Sequence, residues 1–79
     1  MITDFRLPPI DGEVSSATIA MWRKAPGENV EAGEVLLEVV TEKVNVEIEC
    51  PIAGRLVETL VEVDTEVNVG AVIARIDTL

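Results

Sequence analysis

A chain of 79 residues supports one domain, because a shorter chain has less apolar surface to hide and cannot fill two cores. Fifteen acidic residues against six basic ones give a net charge of −9, which repels a phosphate backbone and an anionic bilayer surface, so neither nucleic acid nor membrane is an expected partner. Hydrophobic residues at 48% exclude disorder, and with Phe5 and Trp22 the only aromatics the core has to come from Val, Ile, Leu and Ala, a composition that favours strands.

No stretch approaches the roughly twenty apolar residues of a membrane-spanning helix. Residues 1–7 lack the apolar or Arg-rich character of a targeting segment, and the single Cys50 cannot form an internal disulfide. A reducing compartment is expected: a bacterial or archaeal cytoplasm, or the mitochondrial matrix if a targeting segment has been removed. The charge suits docking on neutral or basic proteins, and ordinary solvation accounts for it equally well.

Taken in chain order, the elements fall into two similar sets. Phe5, Leu7 and Pro8 recur as Ile48, Cys50 and Pro51, 43 positions on. Between them the first half carries the polar stretch 12–18, and Ile19 and Trp22 follow as core candidates. Val30, Gly33, Val35, Leu36, Val39 and Thr41 then recur as Val67, Gly70, Val72, Ile73, Ile76 and Thr78, 37 positions on. The two spacings differ by six, so the first half has six extra residues, and they fall between Asp11 and Ile19. The stretch 12–18 is therefore expected to be a surface loop.

Residues 35–40 are β-branched and Leu-rich and short enough for a strand, and residues 72–76 are their counterpart. Val44, Val46, Ile48 and Cys50 alternate with Asn45, Glu47 and Glu49, which makes this the clearest strand, with Cys50 ending it as a buried structural thiol. Four prolines and five glycines interrupt the chain too often for a helix. The expected fold is all-β: a flattened antiparallel barrel-sandwich whose halves are related by a pseudo-two-fold axis.

Between the two best strands only Thr41-Glu42-Lys43-Val44 is left, so the connection is a tight hairpin. Two-residue hairpin turns prefer Asn-Gly or Asp-Gly, and this tip has neither. A type I turn would accept Glu42 and Lys43 and project the lysine into solvent. A solubilising charge on an exposed hairpin is the alternative role. Lys43 is one of two lysines, the other being Lys24, and it lies where the two halves join. Catalysis finds little support: the chain has no His or Tyr, Ser15 and Ser16 lack a base, and the carboxylates are scattered. Zinc ligation is equally unsupported.

The pattern Leu7, Pro8, Ile10; Ile19, Trp22; Gly27, Val30; Gly33, Leu36, Glu38, Val39, Thr41, Lys43; Pro51, Ala53, Gly54; Val67, Val69, Gly70 resembles the lipoyl domain of the dihydrolipoamide acyltransferase component of 2-oxo acid dehydrogenase complexes. The resemblance covers nearly the whole chain. Departures are Glu42 for the usual Asp, Asp11-Gly12-Glu13 for Gly-Glu-Gly, Ser16 for an acidic residue, and Asp64 for a turn Gly.

The resemblance implies that residues 1–79 form one lipoyl domain, excised from or N-terminal in a longer acyltransferase chain. It would be a non-catalytic carrier with lipoic acid amide-linked to Lys43. Thr41, Glu42 and Val44 would be read by the modifying enzyme, a lipoate ligase or lipoyl/octanoyl transferase. Gly12, Glu13, Val14, Ser15 and Ser16 would form the loop by which a partner recognises its carrier. Implied partners are a thiamine diphosphate-dependent decarboxylase, an acyltransferase core and a dihydrolipoyl dehydrogenase, with the isolated domain monomeric. Two alternatives stay open: a biotin carrier domain, whose family places Met on both sides of the lysine, and an unmodified structural or adaptor domain of the same fold.

Overall fold

A computed structural model of the chain describes residues 1–10, 12, 14–42 and 44–78. Short apolar runs bounded by Pro, Gly and Asp turns give eight strands: β1 (Ile2–Arg6), β2 (Ser16–Trp22), β3 (Asn29–Val30), β4 (Val35–Val40), β5 (Asn45–Glu49), β6 (Gly54–Thr59), β7 (Glu66–Asn68) and β8 (Val72–Asp77). The described residues contain no helix. The strands form two four-stranded sheets, ordered β1-β8-β6-β3 and β5-β4-β2-β7, and every pairing is antiparallel.

Advancing each strand number by four, with β5 to β8 returning to β1 to β4, converts one order into the other, so the sequence repeat is a structural one. Its details repeat as well. The N–H of Leu7 donates to Ala71 O at 2.9 Å and that of Cys50 to Glu34 O at 2.8 Å; Gly70 donates to Leu7 O at 2.8 Å and Gly33 to Cys50 O at 2.7 Å. The ladder slips between Ile19 and Met21 and, 37 positions on, between Leu56 and Glu58. Gly27 has φ of +98° and its repeat mate Asp64 has φ of +72°, so Asp occupies the left-handed turn position that its mate fills with Gly.

The core is built from repeat mates: Phe5 with Ile48, Leu7 with Cys50, Ile19 with Leu56, Val30 with Val67, Leu36 with Ile73, and Val39 with Ile76, all buried between the sheets. No described polar or charged residue is buried. The outer faces carry ion pairs. Arg75 on β8 bridges Glu58 at 2.7 Å and Asp4 at 3.3 Å, and Arg23 bridges Glu38 at 3.0 Å and Glu47 at 3.4 Å. Hydrogen bonds that Arg75 donates to Glu58 and then to Asp4 raise its pKa above the ordinary value.

One expectation needs correcting. The stretch 12–18 is not wholly a loop, because Ser16, Ala17 and Thr18 open strand β2 and Ala17 is buried. These small residues carry little strand signal of their own. Their extended form comes from partners on both sides, since Ser16, Ala17 and Thr18 pair with Asn68, Val67 and Glu66, and Thr18 also pairs with Val40. The connection is residues 7–15, against 50–53 in the second half, so the extra length lies just upstream of β2.

Candidate functional site

Strand β4 ends in a ladder pair between Val40 and Asn45. Beyond it the N–H of Thr41 donates to Val44 O at 2.9 Å and its hydroxyl to the same oxygen at 3.3 Å, so Thr41 and Val44 close the hairpin with backbone and side chain together. Glu42 is exposed, and Val44 is 55% exposed although it belongs to the alternating apolar set. Burial on that face grows away from the tip: Val46 is half-buried, Ile48 is 4% exposed and Cys50 is sealed. The tip thus projects beyond the core while the base of its strand anchors it. Lys43 lies outside the described residues, and so does the turn type expected for Glu42 and Lys43.

The other lysine is engaged. Nζ of Lys24 lies 2.8 Å from the Glu34 carboxylate. That hydrogen bond, with the nearby charges of Glu34, Glu28 and Glu31, raises the Lys24 pKa above its ordinary value. The same contact, with a hydrogen bond from the Glu31 backbone, lowers the pKa of Glu34.

Of the predicted recognition loop, Gly12 lies in an exposed turn, Val14 is half-buried, and Ser15 is exposed with its carbonyl accepting from the Val69 N–H at 2.9 Å. Ser16 belongs to β2, and its hydroxyl donates to Glu66 Oε2 at 3.0 Å. Glu13 and Asp11 lie outside the described residues. Ser16 comes together with Thr41 and Glu42 around a shallow groove of 280 Å³, completed by Ala17, Thr18, Val40 and Glu66. Sequence reasoning missed Ala17, Thr18, Val40 and Glu66. The β2–β7 ladder is what brings Glu66 beside Thr18, and no sequence signal marked it.

Trp22 is half-buried against the core, with Nε1 donating to Val61 O at 3.1 Å, and Cys50 is fully buried with Sγ 3.1 Å from Ile52 O. Both agree with the structural roles expected of them. At the other end of the molecule the N–H and hydroxyl of Thr78 donate to Met1 O at 2.8 and 3.1 Å, the same arrangement that Thr41 makes with Val44. The hairpin and the Met1–Thr78 junction are therefore equivalent points of the two halves.

Comparison with known proteins is consistent with this architecture. A family model for biotin and lipoyl domains, described as "Biotin-requiring enzyme", matches residues 3–76. The chain is 51% identical over 74 residues to the dihydrolipoyllysine-residue acetyltransferase component of the pyruvate dehydrogenase complex of Corynebacterium glutamicum, covering 94% of this chain and 11% of that protein. It is 41% identical over 75 residues to the dihydrolipoyllysine-residue succinyltransferase component of the 2-oxoglutarate dehydrogenase complex of Bacillus subtilis, covering 95% of this chain and 18% of that one. The chain thus spans less than a fifth of the length of either relative.

Among solved structures, the lipoyl domain of the 2-oxoglutarate dehydrogenase complex of Azotobacter vinelandii superposes with a TM-score of 0.74 at 26% identity, over 94% of both chains. A multi-domain long-chain acyl-CoA carboxylase superposes with a TM-score of 0.83 at 19% identity, over 99% of this chain and 7% of that one, which is a likeness of fold alone. The repeat, the sheet order and these relatives agree: the chain belongs to the biotin/lipoyl family, as a lipoyl domain of the type found in the acyltransferase components of 2-oxo acid dehydrogenase complexes.

Proposed function

We propose that this chain is a non-catalytic carrier whose attachment residue is Lys43, joined through an amide to lipoic acid. The observation that carries the proposal is the hairpin: Thr41 and Val44 close it by two hydrogen bonds, its flanks Glu42 and Val44 are exposed, and Lys43 is the residue between them in sequence. Lys24, the one other lysine, is engaged in an ion pair with Glu34. The printed names of the relatives favour lipoate over biotin.

A lipoyl group would supply a dithiolane that accepts acyl groups and electrons. The contribution of the chain's own residues is placement. Thr41, Glu42 and Val44 present the tip to a lipoate ligase or a lipoyl/octanoyl transferase. The buried half of β5 keeps the tip from folding back onto the core, and tethering raises the effective concentration of the carried group at successive sites. Those sites belong to a thiamine diphosphate-dependent decarboxylase, an acyltransferase core and a dihydrolipoyl dehydrogenase. Gly12, Glu13, Val14, Ser15 and Ser16 are read as the partner-recognition surface, a reading supported by Ser16, which lines the groove beside Thr41 and Glu42.

The test is expression with lipoate and its ligase, followed by intact-mass and peptide mapping. A lipoyl adduct on Lys43 that survives Lys24→Gln and is lost in Lys43→Gln is the expected result. A biotin adduct, or none at either lysine, would refute the assignment.

A further inference from the structure

We propose that the crossover from β6 to β7, residues 60–65, forms with Met21 a docking surface for a partner protein whose contact area is apolar inside a basic rim; this rests on the reading of the chain as a carrier domain. The crossover runs beside β2 in the opposite direction. The N–H of Asp64 donates to Ile19 O at 2.8 Å and that of Ile19 to Thr65 O at 2.9 Å, while Nε1 of Trp22 donates to Val61 O at 3.1 Å. Glu62 and Val63 therefore pass alongside Ala20 and Met21. On this strip Met21 is 49% exposed, Val63 48% and Leu60 40%, so three large apolar side chains meet water. Trp22 and Val61, half-buried against the core, anchor it.

The internal repeat shows that the fold does not require these side chains. At a separation of 37 positions, Leu60 and Val63 correspond to Arg23 and Pro26, Val61 to Lys24, and Met21 to Glu58. There Arg23 bridges Glu38 at 3.0 Å, Lys24 bridges Glu34 at 2.8 Å, and Glu58 bridges Arg75 at 2.7 Å. The crossover 23–28 thus satisfies its charged groups within the chain. Its mate instead turns apolar groups outward between carboxylates, the make-up of an interaction surface.

Charge selects the occupant. Residues 56–74 contain the carboxylates Glu58, Glu62, Asp64 and Glu66 and no Lys or Arg. Glu58 is neutralised by Arg75, whereas Glu62 and Asp64, on either side of Val63, are exposed and form no ion pair among the described residues. Arg23, the cation nearest Met21 in sequence, is already shared by Glu38 and Glu47. A second copy of the chain, with its own charge of −9, would set carboxylate against carboxylate. A partner with apolar side chains inside a rim of Lys or Arg meets both features of the strip.

The probes are four purified proteins: the decarboxylase, the acyltransferase core, the dihydrolipoyl dehydrogenase and the lipoate ligase. Each is added in turn to the isotope-labelled chain while its amide signals are followed. At least one should broaden the signals of residues 20–22 and 60–66, and added salt should weaken that binding. Val63→Ser and Glu62→Lys, both at exposed positions, should each weaken it about tenfold. Met21→Gln provides the same test should Val63→Ser unfold. Absence of a lipoyl adduct on Lys43 in the mass experiment would overturn the carrier reading and this surface with it. With the adduct present, broadening confined to the hairpin, no broadening of the strip by any of the four, or binding that the substitutions leave unchanged would overturn the surface and leave the carrier standing. Shifts of the strip that grow with the concentration of the chain alone would assign it to a second copy and also overturn the proposal.

Discussion

Gly54 offers the sharpest test of the packing within the first sheet. A Cβ placed there would lie 2.6 Å from the carbonyl oxygen of Asp77 and 2.8 Å from Cγ2 of Ile76. Both belong to β8, which pairs with β1 on one side and β6 on the other, so the oxygen cannot retreat without moving a central strand. Overpacking of this kind costs about 1–3 kcal/mol, and the usual entropic gain of replacing Gly by Ala returns about 0.4–1 kcal/mol. A net loss of about 1–2 kcal/mol is expected for Gly54→Ala. Against the roughly 4–12 kcal/mol available to a domain of this length the loss is large, and at about 4–8 °C per kcal/mol it lowers Tm by about 4–16 °C. The repeat mate, Ala17, already carries a Cβ at the equivalent point of β2. Thermal and urea unfolding followed by circular dichroism would measure the change. A Tm at or above that of the parent would show that β8 yields easily and that the close approach is not a constraint.

Replacing Asp64 by Gly, as in its mate Gly27, should stabilise the chain by about 0.5–1 kcal/mol by removing a left-handed non-glycine residue; a lower urea midpoint would contradict the turn assignment. The lowered pKa of Glu34 makes its stabilisation complete above the ordinary value of 4.5 and lost as pH falls through the lowered folded-state value. Glu34→Gln should therefore flatten that acid limb, with parent and variant converging at the lowest pH, and urea midpoints measured from pH 7 to 3 would reveal a persistent gap if the ion pair is not its source. Cys50, sealed in the core, should react with an aromatic disulfide reagent only as fast as the chain unfolds, and burst labelling in native buffer would disprove its burial.

The architecture was legible because repetition is a long-range signal. The match of Val35 and Leu36 to Val72 and Ile73 marks β4 and β8 as equivalent strands of the two halves, and the alternation from Val44 to Cys50 marks β5. Strands β3 and β7, of two and three residues, are too short to show a period, and they exist because neighbouring strands supply partners. Ser16, Ala17 and Thr18 were assigned to a loop for the same reason: their extended form is set by what flanks them. The hairpin closed by Thr41 and Val44 could be placed from two adjacent strands, whereas the groove beside it also needs Glu66, which only the ladder register brings near.

The sheet order also governs when the domain can fold. Because β8 sits between β1 and β6, the first sheet lacks an inner member until the final strand has been made, and the ends of the chain must meet to complete it. A nascent chain halted before Val72 would hold a locally paired β4–β5 ribbon beside unsatisfied strands. Protease resistance in such stalled chains should arrive abruptly once β8 is available to pair, so the domain closes as a unit and not strand by strand.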